Sequence, residues 1–238
     1  MGRMPDQYTI RARVLPALLV TLPLGLATLA WFPDGLSGWG AIWGLVVWSG
    51  GTMFLAQIGR DSGKRKEPSL FGRWGGKPTS KLLRHTNASN RPLLERRHGK
   101  LNKLTHPLKL PTPEQEASDP RRADEIYEAC VTLLRDKTRD RKDFPLVFEE
   151  NCSYGFRRNL WGLKPLGLTL TVLSLLAVAA LPIVDPAVWT TGPKQRIVVP
   201  GLIDCLMLLA WVCIVTPRCV RIPGDAYAER LLEACERL

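Results

Sequence analysis

The sequence predicts an all-α integral membrane protein in which two transmembrane helical hairpins flank a mainly helical cytoplasmic domain. Three observations predict it. Four apolar runs, residues 14–32, 35–59, 165–184 and 197–217, hold a single charged residue between them, Asp204, and about 20 apolar residues suffice to cross a ~30 Å hydrocarbon core. Lys and Arg collect at alternate loops, as the positive-inside rule requires of a multi-pass chain. The segment between the second and third runs carries helix caps and helical periodicity and no alternating strand pattern.

Taken in order, the first run follows Arg3, Arg11 and Arg13. It exceeds the length of a signal-peptide apolar core, ends in Trp31-Phe32-Pro33-Asp34 without a small-x-small cleavage pattern, and leads at once into a second run. It is therefore expected as a transmembrane helix. The second run contains Gly38, Gly40, Gly44, Gly50 and Gly51. Gly40 and Gly44 form a GxxxG, which lets another helix backbone approach, either the first span or a neighbouring subunit. Residues 1–59 thus form an N-terminal hairpin.

Residues 60–160 form the expected basic cytoplasmic domain. Residues 60–109 carry 14 Lys/Arg against three acids, a net +11 equal to that of the whole chain. A turn is expected at residues 79–85. Asn90-Arg91-Pro92 opens a helix to about Lys103, and Ser118-Asp119-Pro120 opens another to about Arg139, with Ile126, Cys130, Leu133 and Leu134 as its apolar stripe. Between them, residues 106–117 are expected to be extended, because of Pro107, Pro111 and Pro113. Residues 148–165 join the domain to the third span, either as a packed elbow with Arg157 and Arg158 as topology charges or as a coupling linker in which Glu149 or Glu150 pairs with an arginine that moves on ligand binding.

Residues 161–217 form the second hairpin. Asp204 lies eight residues beyond Arg196, or ~12 Å at 1.5 Å per residue. It reads either as a boundary acid, reached by water or paired with Lys194 or Arg196, or as a carboxylate on a water-filled path that favours cations. Residues 218–238 form a short cytoplasmic tail, amphipathic over 225–238 through Tyr227, Leu231, Leu232, Cys235 and Leu238.

Arg60, Lys64, Arg65 and Lys66 follow span two, Arg157, Arg158 and Lys164 precede span three, and Arg218 and Arg221 follow span four. Both termini and the central domain are thereby expected in the cytoplasm, with the chain in a bacterial inner membrane. Trp31, Trp39, Trp161 and Trp189 fall near the predicted boundaries. Six cysteines without CxxC spacing suggest neither disulfides nor zinc.

The basic stretch is the expected binding region. Arg60 to Lys66 are explained by topology and anionic lipid. Arg84, His85, Arg91, Arg96, Arg97, His98, Lys100 and Lys103 add directed hydrogen bonds to charge and suit a phosphate-rich ligand, a nucleotide or nucleic acid. Lys77 and Trp74 lie in Gly72-Arg73-Trp74-Gly75-Gly76-Lys77-Pro78, which lacks P-loop spacing but offers glycine N–H groups and an aromatic face. An enzyme is not expected: His85, His98 and His106 form no HExxH or metal set, no GxSxG is present, and no catalytic, metal-binding or cofactor residue stands out.

In size, topology and basic domain, the chain resembles in layout the small multi-span membrane effectors of bacterial antiviral defence systems, although no diagnostic motif is shared. That resemblance implies an oligomeric effector or ion channel whose basic domain binds a nucleotide or oligonucleotide and controls membrane permeability. The alternative is a non-conducting anchor or scaffold that presents its basic face to anionic lipid or a protein partner. Membrane lipids and further copies of the chain are partners on the first reading.

Overall fold

The structure, a computed structural model, describes residues 6–33 and 38–238, with side chains described for all of these except 38–43 and 45. The described residues are mostly helical and contain no strand. The helices are α1 (Gln7–Trp31), α2 (Gly38–Trp74), α3 (Pro78–Leu83), α4 (Arg91–Leu104), α5 (Pro113–Ser118), α6 (Pro120–Lys137), α7 (Pro145–Val184), α8 (Ala187–Thr190), α9 (Gln195–Ile214) and α10 (Pro217–Ala234). Helices α1, α7 and α9 are long and apolar enough to cross a membrane. The expected second span, 35–59, falls partly outside the described residues; its described part belongs to α2.

The chain divides into two compact units. Met1–Lys66 with Gly155–Val220 form an apolar unit, and Glu67–Tyr154 with Arg221–Leu238 form a polar unit.

Close approach in the apolar unit depends on glycine. A Cβ at Gly162 of α7 would lie 2.6 Å from the Gly63 nitrogen and 2.9 Å from the Gly59 oxygen of α2. Gly59 and Gly63 are thus a working small-xxx-small pair, at the spacing that permits backbone contact. At Gly167 a Cβ would lie 2.4 Å from the Trp211 ring of α9. Val20, Leu160, Leu163, Trp211 and Val215 form one core cluster, and Ala27, Ala30, Val178, Leu181 and Val188 another.

The polar unit packs around Leu83, Leu101, Tyr127, Leu134, Leu231 and Leu232, all fully buried. Asn90 caps α4 by accepting from the Leu93 N–H at 3.0 Å, and Asp119 caps α6 by accepting from Arg122 N–H at 2.9 Å. Both helix starts match the caps read from the sequence.

Four local expectations are corrected. The expected extended segment 106–117 contains the start of α5, because Thr112 and Gln115 form a capping box and Pro113 occupies the first turn, where its missing N–H costs nothing. The buried stripe of α6 is Ala123, Tyr127, Cys130, Val131 and Leu134, so it centres on Tyr127, while Leu133 is exposed. Residues 148–165 are continuous helix within α7, so the chain makes no elbow there. The tail helix begins at Pro217, eight residues before the expected start, and ends at Ala234, leaving Leu238 exposed.

Candidate functional site

The expected ligand residues separate into an outward face, a tail clasp, a buried hub and a helix cap. On α4, Arg91, Arg96, Lys100 and Lys103 are exposed, which follows from their spacing opposite the buried Leu94, Arg97, His98 and Leu101. This outward face is the part of the expected site that remains open to solvent. Arg96 Nη2 donates to Glu236 Oε2 at 2.7 Å, and Arg97 Nη2 donates to Glu229 Oε2 at 2.7 Å, so two adjacent arginines are clasped by carboxylates of the tail. The Arg97 side chain is only 6% exposed, and its Nε has no hydrogen-bond partner. The buried guanidinium thus leaves one donor unsatisfied.

Arg84, His85 and His98 turn inward. Arg84 forks onto Asp124, with Nε to Oδ1 at 2.8 Å, and its Nη1 donates to the Gly75 carbonyl at 3.2 Å. His98 is buried and its Nε2 meets the Leu83 carbonyl at 2.8 Å. His85 Nε2 meets the Pro111 carbonyl at 3.1 Å. A carbonyl only accepts, so both Nε2 atoms carry hydrogen. Burial, joined by the nearby His85, holds His98 below the usual histidine range despite its bond to the Leu83 carbonyl.

Glu116 of α5 anchors this hub and was not singled out from the sequence. It is 3% exposed. Its oxygens accept from Tyr127 Oη at 2.6 Å, His85 N–H at 2.8 Å, and Thr86 N–H and Oγ1 at 3.1 Å each. Burial pushes the carboxyl up, but these bonds outweigh burial and leave it below the usual carboxylate range. Burial and the bond to Glu116 push the Tyr127 phenol far up, fixing it as the donor. The only advance sign of Glu116 was its place four residues after Thr112, inside a segment expected to be extended.

The glycine segment at 72–80 is a helix end. Gly75 and Gly76 have φ of 78° and 125°, and the Gly76 N–H donates back to the Phe71 carbonyl at 2.8 Å, as a C-terminal cap does. The Gly75 N–H is used in the same way, donating to the Gly72 carbonyl at 3.3 Å, and Lys81 Nζ meets the Trp74 carbonyl at 2.7 Å. Trp74 is 7% exposed, with its ring edge-on to Phe71, and presents no open face for stacking. Lys77 pairs with Glu128 at 2.6 Å.

In the apolar unit, Asp204 is fully buried, with Oδ2 at hydrogen-bond distance from Ser174 Oγ. Arg196, the alternative partner, instead donates to the Ala30 carbonyl at 2.7 Å, at the end of α1. Gly40 lies outside the described side chains, whereas a Cβ at Gly44, Gly50 or Gly51 would meet nothing within 4 Å. Of the linker residues, Arg157 donates to the Cys219 carbonyl at 3.2 Å, Arg158 is buried with Nε donating to Asn159 Oδ1 at 3.2 Å, Glu149 is exposed and Glu150 half-buried.

Cys130, Cys152 and Cys235 are buried, and burial raises the thiols of Cys130 and Cys235 above the ordinary cysteine range. Such thiols are poor nucleophiles and poor metal ligands. Among the described residues, no group of three His, Cys, Asp or Glu side chains is placed to hold a metal. No known protein family, no curated protein and no solved structure matches this chain.

Proposed function

We propose that the chain is an oligomeric membrane effector whose polar unit faces the cytoplasm, binds a phosphate-rich ligand through α4, and thereby controls membrane permeability. The observation that carries this reading is the clasp of Arg96 and Arg97 by Glu236 and Glu229 of α10. Carboxylate and phosphate compete for the same guanidinium geometry. A nucleotide or oligonucleotide on α4 therefore displaces the tail acids, gives the idle Arg97 Nε an acceptor, and adds charge pairing to Arg91, Lys100 and Lys103.

The magnitudes permit exchange. The exposed Arg96 pair contributes only ~0–1 kcal/mol, and the buried Arg97 bond ~1.5–3 kcal/mol, comparable with a single charge-assisted bond to phosphate. Two residues separate the end of α9 from the start of α10, so a displaced tail acts on a membrane helix through the chain itself. Assembly is supported by the uncovered glycines of α2 and by the 73% and 68% exposure of Val47 and Phe54 beside them.

The test uses the full chain in lipid vesicles, with a fluorescent single-stranded oligonucleotide and a nucleoside triphosphate as probes. Replacing Arg96, Lys100 and Lys103 with Glu is expected to weaken binding by about tenfold or more and to suppress ligand-dependent dye efflux. The pair Glu229→Gln and Glu236→Gln is expected to tighten binding and shift efflux in the absence of ligand. If neither variant changes binding or efflux, the effector reading fails and a non-conducting anchor on anionic lipid takes its place.

A further inference from the structure

Ser174 of α7 stands between two oxygen atoms. Its Oγ lies 2.8 Å from the Pro23 carbonyl oxygen of α1 and at hydrogen-bond distance from Asp204 Oδ2 of α9. A serine hydroxyl has one hydrogen and two lone pairs, and a peptide carbonyl has no hydrogen to give. When Ser174 donates to Pro23, the hydrogen between Oγ and Oδ2 has to come from the carboxyl group. Only a carboxylic acid at position 204 makes both contacts favourable.

Two further observations point the same way. Asp204 is 0% exposed and its Oδ1 has no partner. As half of a carboxylate, that oxygen would be an uncompensated charge in apolar surroundings; as the carbonyl of an acid, it costs about what any unpaired buried polar atom costs, ~1–3 kcal/mol. The second observation is the absence of a countercharge. Residues 14–31, 38–59 and 165–184, the apolar parts of α1, α2 and α7, contain no Asp, Glu, Lys, Arg, His, Cys or Tyr. On α9 itself the titratable neighbours are Arg196, whose guanidinium is engaged by the Ala30 carbonyl, and the exposed thiols of Cys205 and Cys213.

We propose that the junction of α1, α7 and α9 is a proton-binding site, in which Asp204 holds one proton as a carboxylic acid donating to Ser174 while Ser174 donates to Pro23. Loss of that proton to water leaves a carboxylate that accepts the Ser174 hydrogen. The hydroxyl then turns from Pro23 to Asp204, and the bond that ties α7 to α1 is broken. Proton binding and the packing of three apolar helices are in this way one equilibrium. The site stands apart from the phosphate reading, since a polar unit that bound no phosphate would leave it intact.

The experiment is infrared difference spectroscopy between neutral and alkaline pH on the full chain in lipid nanodiscs. Wild-type protein is compared with Asp204→Asn and Ser174→Ala, and thermal unfolding is followed over the same pH range. A carboxylic acid C=O band is expected at neutral pH, lost in Asp204→Asn, shifted in frequency in Ser174→Ala, and lost from wild type on raising the pH. Because the folded state binds the extra proton, wild-type thermal stability is expected to fall as pH rises, and more steeply than that of Asp204→Asn.

Should Asp204→Asn fail to fold, wild-type protein labelled with carbon-13 at its aspartate carboxyls supplies the assignment through the isotope shift of the band. Wild-type protein with no aspartic acid band at neutral pH overturns the proposal. So does a band that persists in a folded Asp204→Asn.

Discussion

Glu116 takes four donors on two oxygens and fixes the turn that carries His85 and Thr86 against Tyr127. Glutamine at this position would present an NH2 group to donors and leave at least one buried group unsatisfied, so Glu116→Gln is expected to cost ~2–3 kcal/mol. Acid should act through the same residue. The Glu116 carboxyl is held below its usual range in the folded state, so its contribution is present above the ordinary glutamate range and is lost as pH falls through and below it. His98, also held low, adds to acid sensitivity at a higher pH, because the unfolded chain takes up its proton from about pH 6.5 downward. Unfolding of the polar unit followed by tyrosine fluorescence from neutral to acid pH is expected to steepen below the histidine range, and Glu116→Gln to flatten the carboxylate part of that dependence.

At the scale of elements, long helices are interrupted by prolines and repaired by basic side chains. Pro165 has no N–H to give the Trp161 carbonyl four residues earlier; Lys66 Nζ meets that carbonyl at 3.1 Å and the Gly162 carbonyl at 3.2 Å. Burial and the neighbouring Lys164 hold the Lys66 amine below its usual range. Pro223 leaves the Cys219 carbonyl in the same state, and Arg157 fills it. Charges that read as topology signals thus also close helix ladders. Glycines govern the crossings. Gly162→Leu drives a side chain into the backbone of α2 and is expected to prevent folding of the apolar unit, seen as aggregation on size exclusion in detergent. Gly44→Leu meets nothing within 4 Å in the protomer. It is expected to leave protomer stability unchanged and, where α2 forms the subunit contact, to reduce the oligomer mass measured by light scattering.

For the whole molecule, the number of crossings decides the sidedness of the ends. Four spans place both termini on one face, whereas α1, α7 and α9 alone would place them on opposite faces. Under the proposed topology, a fluorescent protein fused at either terminus is expected to fluoresce, as it does only after folding in the cytoplasm. A dark fusion at one end alone would reduce the count to an odd number.

The sequence by itself determined the helical class, three helices long and apolar enough to cross a membrane, and the caps at Asn90 and Asp119, because composition, capping and periodicity act over a few consecutive residues. It misplaced α5 and the start of α10, where prolines that suggest a break instead occupy positions a helix tolerates. The partners of Arg96, Arg97, Glu116 and Asp204 were decided only by tertiary structure. Arg97 meets Glu229 across 132 residues and Ser174 meets Asp204 across 30, and no local period encodes such pairs. A buried polar atom takes whichever donor or acceptor the packed helices bring to it, so the same arginine that reads as an open phosphate ligand in the sequence is, in the fold, already held by a carboxylate.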